Sequence, residues 1–360
     1  QRLFHTTPEK VIGKNIITET TNEYIREKIE LCINKSIPIS YEFELDSFDQ
    51  RIKWIQANLT PILDINNTIK KIIVIDTDIT AIKEKEFEII AQKEEIQQQR
   101  DFANRQSSEI KASIAYASRI QNAMLPDKKL FDLYFKENFI LYAPKYSVSG
   151  DFYWISERNG KVYVAVVDCT GHGVPGAFMS MLGISYLNEI IDGQNQTHDL
   201  DADVVLSLLR KNIISALSHR NHIEAKDGMD VSLCIFDVEN KSIQFSGAIQ
   251  SIFLLRNGYI KEFKGDRMPV GAYEDNHKPF TNNVFLLEEN DQIYLFTDGI
   301  VDQFNSDNIR KLKKSKLREI ILEYEKLPMQ HQLHAIDNTF KQWRGDSKQV
   351  DDMLLVGLKI

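Results

Sequence analysis

The chain has 360 residues, of which 42% are hydrophobic and 27% charged, with 52 acidic against 44 basic side chains and a net charge of −8. This composition is typical of globular proteins and excludes a mainly disordered or collagen-like chain, and the length fits two or three domains. The net negative charge argues against a protein whose whole surface binds nucleic acid. No segment approaches the ~18 consecutive apolar residues that a membrane-spanning helix needs.

The three cysteines, Cys32, Cys169 and Cys234, are odd in number and widely separated. This pattern fits neither a disulfide framework nor a zinc site, so we expect a reducing, cytoplasmic compartment. Because the chain begins with Gln1, we also expect it to start inside a longer protein.

Residues 1–80 combine one apolar-periodic segment with segments rich in β-branched and aromatic residues. The first predicts a helix at Glu23–Ile33, and Asp64–Asn67 is a turn signal. Strands are predicted at Ile39–Leu45, Arg51–Ile62 and Lys71–Thr77. We find no catalytic constellation here and interpret His5 and Cys32 as ordinary residues, so the sequence predicts a small α+β domain.

Residues 81–125 contain no glycine or proline and are rich in Glu, Gln, Lys and Ala. One heptad position is apolar throughout, at Ile82, Ile89, Ile96, Ala103, Ile110, Ala117 and Met124. A coiled coil has a second seam position in each heptad, and here that position is polar until Ile114. A helix this long spans roughly 60–65 Å, too far to be buried in one small domain. We predict a parallel two-stranded coiled coil that joins two domains across a homodimer. The alternative is a solitary charged spacer helix.

Residues 126–360 alternate strands and helices. Strands are predicted at Asn138–Ala143, Val162–Asp168, Val231–Asp237, Ser242–Ser246, Ser251–Leu255, Val284–Leu287, Gln292–Phe296 and Met353–Ile360. Helices are predicted at Pro175–Ile191 and Ala202–Ser218 and between Asn308 and Trp343. The Pro175 helix is apolar nearly all round, including Phe178, and is expected to be buried. Late strands follow one another without helices, which favours antiparallel sheets with helices packed outside.

Four aspartates stand where apolar strands end or begin. Asp168 and Asp298 each close a predicted strand, and a glycine or a Gly-rich loop follows. Asp151 comes after a strand and a loop, and Asp351 precedes the last strand. An aspartate in such a place costs desolvation free energy unless it is paired or bound to metal. One such residue is usually a turn or helix cap, whereas four in one domain indicate a Mg²⁺ or Mn²⁺ site.

The Gly171–Gly176 segment has the GxGxxG spacing of a dinucleotide-binding loop, after a strand and before a helix. Asp168 would repel a pyrophosphate at this place. The acidic residues about 20 positions further on, Glu189 and Asp192, lie at a helix end and not after a second strand. We therefore reject a Rossmann interpretation.

Several ordered segments resemble the SpoIIE/RsbU-type branch of the metal-dependent PPM serine/threonine phosphatases. They are Arg119–Pro126 (RIQNAMLP), Ser149–Trp154 (SGDFYW), Asp168–Ser180 (DCTGHGVPGAFMS), Gly228–Asp230, Asp266–Gly271, Thr297–Phe304 (TDGIVDQF) and Gln349–Leu358 (QVDDMLLVGL). The resemblance covers about residues 119–360. It implies an αββα sandwich with two Mg²⁺ or Mn²⁺ ions between its sheets.

The resemblance also implies residue roles. Asp168 would bridge both ions, assisted by the backbone carbonyl of Cys169. Asp298 and Asp351 would complete the shell of one ion, and Asp151 would serve the other. Catalysis would depend above all on Asp168 and Asp298.

Three neighbouring features lie outside this set of metal ligands. Asp352 is a poorer ligand candidate than Asp351 because adjacent strand residues point to opposite faces. His172 is a hallmark of this branch, and orienting the Gly-rich loop is at least as good an interpretation as acid catalysis. Gly247–Ser251 departs from the Asn and Pro that relatives carry after Gly-Ala.

The implied reaction is hydrolysis of a phosphoserine or phosphothreonine monoester by a water that bridges two metal ions, without a protein nucleophile. The side chain of Cys169 is accordingly expected in strand packing. By resemblance, the substrate is a phosphorylated STAS-domain anti-anti-sigma factor in bacterial partner-switching signalling.

The segments Trp54–Ile62 and Ile75–Thr80 resemble the last two strands and the exit motif of a PAS sensor domain, whose opening strands are not evident. Signals sensed there would pass through the coiled coil to the metal site. The ligand of such a sensor is not indicated.

The sequence therefore predicts an α+β chain in three parts: a partial PAS-like domain at 1–80, a coiled-coil helix at 81–125 and an αββα PPM phosphatase domain at 126–360. Two alternatives stay open. One is a catalytically inactive PPM fold that acts as a dimeric scaffold, although all four aspartates are present. The other is a two-metal phosphodiesterase or nuclease, which the net acidity and the ordered motifs disfavour.

Overall fold

A computed structural model describes residues 12–14, 22–46, 52–193, 199–217, 227–275 and 277–360. The chain divides into two compact units, Gln1–Ser107 and Ser108–Ile360. The interpretation of His5 lies outside the described residues, as do two predicted element ends, at Arg51 and Ser218.

The first unit contains a helix and a three-stranded antiparallel sheet. These elements are α1 (Glu23–Lys35), β1 (Ile39–Asp46), β2 (Ile52–Leu63) and β3 (Ile69–Asp78), and the sheet order is β1-β2-β3. Asn22 caps α1 by accepting a hydrogen bond from the Ile25 N–H at 3.3 Å. Cys32 is fully buried in a small core with Leu59, as expected of an ordinary residue. The predicted helix, strands and turn are confirmed, with ends that differ by at most two residues.

The helix α2 (Thr80–Met124) is continuous over 45 residues and runs through the boundary between the units. Ile82, Ile96 and Ile110, on the apolar heptad position, are 60–66% exposed. Near its end the same face packs within the second unit, where Gln121 is buried and Met124 contacts the core. The predicted helix is confirmed, and its pairing with a second copy stays a prediction.

The second unit contains two antiparallel sheets and their helices. In chain order its elements are α3 (Lys129–Tyr134), β4 (Glu137–Ala143), β5 (Phe152–Arg158), β6 (Lys161–Cys169), α4 (Val174–Asp192), α5 (Ala202–Leu217), β7 (Gly228–Asp237), β8 (Ser242–Ala248), β9 (Ile252–Arg256), β10 (Tyr259–Phe263), β11 (Val270–Gly271), β12 (Asn283–Leu286), β13 (Gln292–Phe296), α6 (Asp298–Val301), α7 (Lys313–Tyr324), α8 (Met329–Arg344) and β14 (Met353–Lys359). One sheet has the order β10-β9-β13-β14-β4, and the other β12-β8-β7-β6-β5 with β11 paired to β7.

The two sheets pack face to face, with apolar side chains from both between them. This inner core includes Ile140, Val164, Phe236, Ile293 and Val356. Because every strand alternates its side chains between two faces, the outer faces need cover as well. The helices α4 and α5 cover the six-stranded sheet, and α7 and α8 cover the five-stranded sheet. The result is the αββα sandwich that the resemblance implied.

The sequence interpretation differs from the structure in a few places. The helices α3 and α6 and the strands β5, β10 and β11 were not predicted. The expectation that the Pro175 helix is buried all round is wrong at Phe178, which is 65% exposed. Only the side of α4 that packs on the sheet and on α5 is covered, because an apolar composition does not specify which face finds a partner. None of the described helices is long and apolar enough to cross a membrane.

Candidate active site

A cavity of about 190 Å³ opens at one end of the sandwich, where strand ends of the two sheets meet. It is lined by Asp168, Cys169, Thr170, Gly171, His172, Asp230, Asp298, Asp351 and Asp352. Antiparallel pairing explains the clustering, because the end of β6 lies beside the start of β7, and the end of β13 beside the start of β14. Five aspartates share the lining, and no Lys or Arg is among its described residues.

Asp168 stands at the centre of this acidic group. In the β6–β7 register it lies directly opposite Asp230, and its carboxyl shares a hydrogen bond with that of Asp298. Burial raises the pKa of Asp168 far above the usual range of an aspartate, and the charges of Asp151 and Asp298 add to the effect. Burial also raises the pKa of Asp298, and it raises that of Asp230 to about 7. Binding of a cation would stabilise the ionised form of these buried, mutually repelling carboxylates.

Asp151 is 2% exposed and lies in the loop before β5. It accepts a hydrogen bond from the Thr297 hydroxyl at 2.7 Å. Burial raises its pKa well above the usual range, as do the charges of Asp352, Asp351 and Asp298. The structure thus places Asp151 within electrostatic reach of the carboxylates that line the cavity, although it does not line the cavity itself.

Asp351 and Asp352 differ in their surroundings, as expected for adjacent residues at the start of a strand. The Asp352 carboxylate accepts backbone hydrogen bonds from Lys145 at 2.6 Å and from Gly150 at 2.8 Å. It therefore anchors the loop that leads to Asp151. Within the part of the chain that the structure describes, the Asp351 carboxylate accepts a hydrogen bond only from the Asp352 N–H, at 2.8 Å, so its other oxygen lone pairs stay available to a ligand.

The Gly-rich loop after β6 is shaped by close backbone contacts. Gly171 and Gly173 have φ angles of 87° and 67°, which favour glycine. A Cβ atom at Gly176 would lie 2.3 Å from the Gly171 carbonyl oxygen, and one at Gly150 would lie 2.6 Å from it. The GxGxxG spacing is thus explained by the packing of two loops at the cavity and not by a dinucleotide.

Two further predicted residues have defined places. The Cys169 side chain is 2% exposed and packs in the core, which confirms the expectation that it lies in strand packing. His172 is exposed on the cavity wall, and its ring lies 5.3 Å from the Tyr146 ring between centroids.

Asp230 is a cavity residue that the sequence interpretation did not nominate. The Gly228–Asp230 segment was noted as a motif, and Asp230, like Asp351, precedes a predicted strand, but no ligand role was assigned to it. Asp230 reaches the cavity through the antiparallel pairing of β6 with β7, which places the start of one strand beside the end of the other. That pairing is not visible in the sequence.

The donor set fits a hard divalent cation, because carboxylate and backbone carbonyl oxygens are the ligands that Mg²⁺ and Mn²⁺ prefer. No three Asp, Glu, His or Cys side chains of the described residues converge as a ready-made ligand cage.

The family model of stage II sporulation protein E (SpoIIE) matches residues 158–360, which is more than half of the chain. The chain belongs to the SpoIIE family. The SiaA-PP2C domain of Pseudomonas aeruginosa is 29% identical, with a TM-score of 0.63 over 71% of this chain and 98% of that one. A structure of the PP2C phosphatase domain and a regulatory fragment of SpoIIE from Bacillus subtilis is 21% identical, with a TM-score of 0.50 over 62% of each chain. No curated protein sequence matches significantly.

Membership of the SpoIIE family, together with the αββα fold, makes this chain a PPM-type serine/threonine phosphatase. The resemblance drawn from the motifs at 119–360 is confirmed over residues 158–360.

Proposed function

We propose that the acidic cavity binds two divalent cations, Mn²⁺ or Mg²⁺, and hydrolyses phosphoserine or phosphothreonine monoesters of a protein. The observation that carries this proposal is that Asp168, Asp298 and Asp351, from three strand ends of two sheets, line one cavity. Asp168 would bridge the ions with help from the Cys169 carbonyl. Asp298 and Asp351 would complete the coordination shell of one ion, and Asp151 would serve the other.

When bound, two such ions activate a water and neutralise the phosphoryl oxygens. The residues of the chain hold and orient this centre. The Thr297 hydroxyl donates a hydrogen bond to the Asp151 carboxylate and so fixes it. The Thr297 hydroxyl oxygen also accepts a hydrogen bond from the Leu354 N–H at 3.1 Å, which links β13 to β14 beside the cavity. Gly176 leaves room for the Gly171 carbonyl oxygen, to which a Cβ atom at residue 176 would come within 2.3 Å.

The test is hydrolysis of p-nitrophenyl phosphate with Mn²⁺, compared with bis(p-nitrophenyl) phosphate. We expect the monoester to be cleaved in preference, and Asp168→Asn and Asp298→Asn each to lower kcat by at least about 100-fold, the loss typical when one electrostatic stabiliser is removed. Preference for the bis-ester would favour a phosphodiesterase, and activity retained in both variants would contradict the proposal.

The protein substrate that we propose is a phosphorylated STAS-domain anti-anti-sigma factor in a bacterial partner-switching system. Its support is the motif resemblance together with membership of the SpoIIE family. Incubation of the full chain and Mn²⁺ with the phosphorylated STAS proteins of its own genome tests this choice. Failure to dephosphorylate any of them, while p-nitrophenyl phosphate is cleaved, would contradict the substrate and leave the chemistry intact.

We propose three functional parts: a PAS-like sensor at 1–80, a coiled-coil helix at 81–125 that forms a homodimer, and a phosphatase domain at 126–360. The described part of the sensor supplies a hairpin that leads directly into the helix. Thr80, the first residue of α2, donates its hydroxyl to Asp78 at 2.6 Å, and the Trp54 N–H donates to that hydroxyl at 3.0 Å. A conformational change in the sheet would therefore alter the hydrogen bonds at the start of the helix.

The other end of the helix supports regulation of the metal centre. The Gln121 side chain is 3% exposed and bonds to the backbone of Ser149, two residues before Asp151. A change of helix pairing would act on Asp151 through this contact. The buried, free cysteines of the chain fit a cytoplasmic location for such a signalling protein.

A further inference from the structure

A second and larger groove, of about 610 Å³, opens beside the metal cavity. His172 lines both of them, so the two spaces adjoin at this residue. Ligand pockets usually enclose about 300–1,000 Å³, which the groove reaches and the cavity of about 190 Å³ does not. The cavity is thus large enough for a phosphoryl group and too small for the chain that carries it.

The groove differs from the cavity in chemistry. Its walls include Tyr146 and Val148 of the loop before β5 and Val174, the first residue of α4. The groove also borders Ile114, on the second seam position of α2. None of its described lining residues carries a carboxylate, whereas the cavity has five. Lys145 supplies a cation, with Nζ 5.3 Å from the centre of the Tyr146 ring.

Exposed apolar surface continues from the groove along α4. Val174 is 36% and Phe178 is 65% exposed, and residues four apart lie on one face of a helix. The opposite face of α4 is buried in the core through Ile184, Leu187 and Ile191. Phe178 is therefore not needed to pack this helix, and an exposed apolar patch beside a catalytic cavity indicates a binding surface.

We propose that this surface, defined as the groove and Phe178 and named the docking groove, binds the segment of the substrate protein that flanks its phosphorylated residue. An apolar side chain of that segment enters between Tyr146, Val174 and Phe178. The inference rests on the proposed phosphatase function. A chain whose phosphate lies in the cavity and that continues past His172 enters the docking groove, because this residue lines both spaces. The lack of carboxylates and the presence of Lys145 avoid repulsion of a phosphorylated chain.

The experiment uses the full chain with Mn²⁺ and a set of phosphothreonine peptides in an Ala/Ser background, with a single leucine moved along the flanking positions. We expect leucine at one or two positions to raise kcat/KM about tenfold over the peptide without leucine, the lower end of what an apolar pocket contributes. Phe178→Ser and Tyr146→Ser are expected to remove this preference. The matched control is Tyr259→Ser, because Tyr259 is an aromatic residue 72% exposed on β10 and outside the groove lining.

Equal kcat/KM for all peptides, or a leucine preference that survives both groove variants, would overturn the inference. A loss of self-association in Phe178→Ser, measured by sedimentation and without loss of leucine preference, would assign the surface to a second copy and also overturn it. Hydrolysis of p-nitrophenyl phosphate by the wild-type chain separates these results from failure of the proposed function, in which no phosphomonoester would be cleaved.

Discussion

The side chain of Gln121 and the backbone of Ser149 form a reciprocal pair of hydrogen bonds. The Gln121 amide nitrogen donates to the Ser149 carbonyl at 2.6 Å, and the Ser149 N–H donates to the Gln121 amide oxygen at 3.1 Å. The Ser149 hydroxyl in turn accepts from the Asp151 N–H at 3.0 Å, and the Gln121 nitrogen also donates to the Ser180 hydroxyl at 2.7 Å. One residue near the end of a 45-residue helix thereby fixes both the Asp151 loop and α4.

Replacing this contact should weaken both the fold and the metal site. Gln121→Leu leaves the buried Ser149 N–H and carbonyl without these partners, which costs about 1–3 kcal/mol of unfolding free energy. We also expect more Mn²⁺ to be needed for half-maximal hydrolysis of p-nitrophenyl phosphate, because the Asp151 loop is less ordered. Urea unfolding and a Mn²⁺ titration measure the two effects. The control is Gln97→Leu, an exposed position on the same helix, and identical behaviour of the two variants would refute the coupling.

Asp351 and Asp352 should respond differently to the same substitution. Asp352→Asn has one acceptor oxygen for the two backbone N–H groups of Lys145 and Gly150. We therefore expect its free energy of unfolding to fall by about 1.5–3 kcal/mol, even when a chelator removes all Mn²⁺. Asp351→Asn should unfold like wild type in the chelator and lose the rise in Tm that Mn²⁺ gives, because a ligand stabilises only through the bound state. Thermal unfolding with and without Mn²⁺ distinguishes them. The reverse pattern would show that the two roles are exchanged.

The exposed apolar heptad positions should mediate self-association. Ile96→Asp and Ile110→Asp place a charge in the proposed seam, where burial of an unpaired carboxylate is costly, and are expected to convert a dimer to monomers. Sedimentation equilibrium measures the change, with Gln98→Asp on the exposed polar part of the helix as the control. If both isoleucine variants keep dimerisation and phosphatase activity unchanged, regulation through a coiled coil is ruled out.

Glu262 on β10 should make a pH-dependent contribution to stability. Burial opposes its ionisation, but hydrogen bonds from Lys314 and Ser251 and the charges of Lys314 and Arg318 outweigh burial and lower its pKa. A carboxyl whose pKa is lower in the folded state stabilises the fold above its unfolded pKa, and this contribution is lost as pH falls through the folded value. Glu262→Gln should therefore be less stable than wild type at pH 7.

The difference between Glu262→Gln and wild type should shrink as pH falls below the usual range of a glutamate. Denaturant midpoints across the acid range measure it. Glu319→Gln is the control, because Glu319 is 65% exposed and pairs with Lys316 at the surface, where ion pairs contribute little. A stability difference that stays constant with pH would show that the ion pairs of Glu262 are not its source.

The cavity residues that could be predicted are those with a signal in the local sequence. Asp168 and Asp298 each end an apolar strand before a glycine or a Gly-rich loop, where an unpaired carboxylate costs desolvation free energy, and both line the cavity. The 81–125 helix was equally predictable, because a long segment without glycine or proline that repeats an apolar position every seventh residue is compatible with little else. Turn and strand patterns also placed most elements of both sheets within three residues of their observed ends.

The sequence by itself therefore determined the family, most of the strands and helices in their order, and four of the acidic residues near one cavity, since each depends on short-range pattern. Tertiary structure alone decided the remainder. It brought Asp230 opposite Asp168, assigned Asp352 to the backbone of Lys145 and Gly150, and left Phe178 uncovered on an apolar helix. These outcomes depend on which strands pair and which faces pack, and contacts between residues distant in the chain are not encoded in any local period.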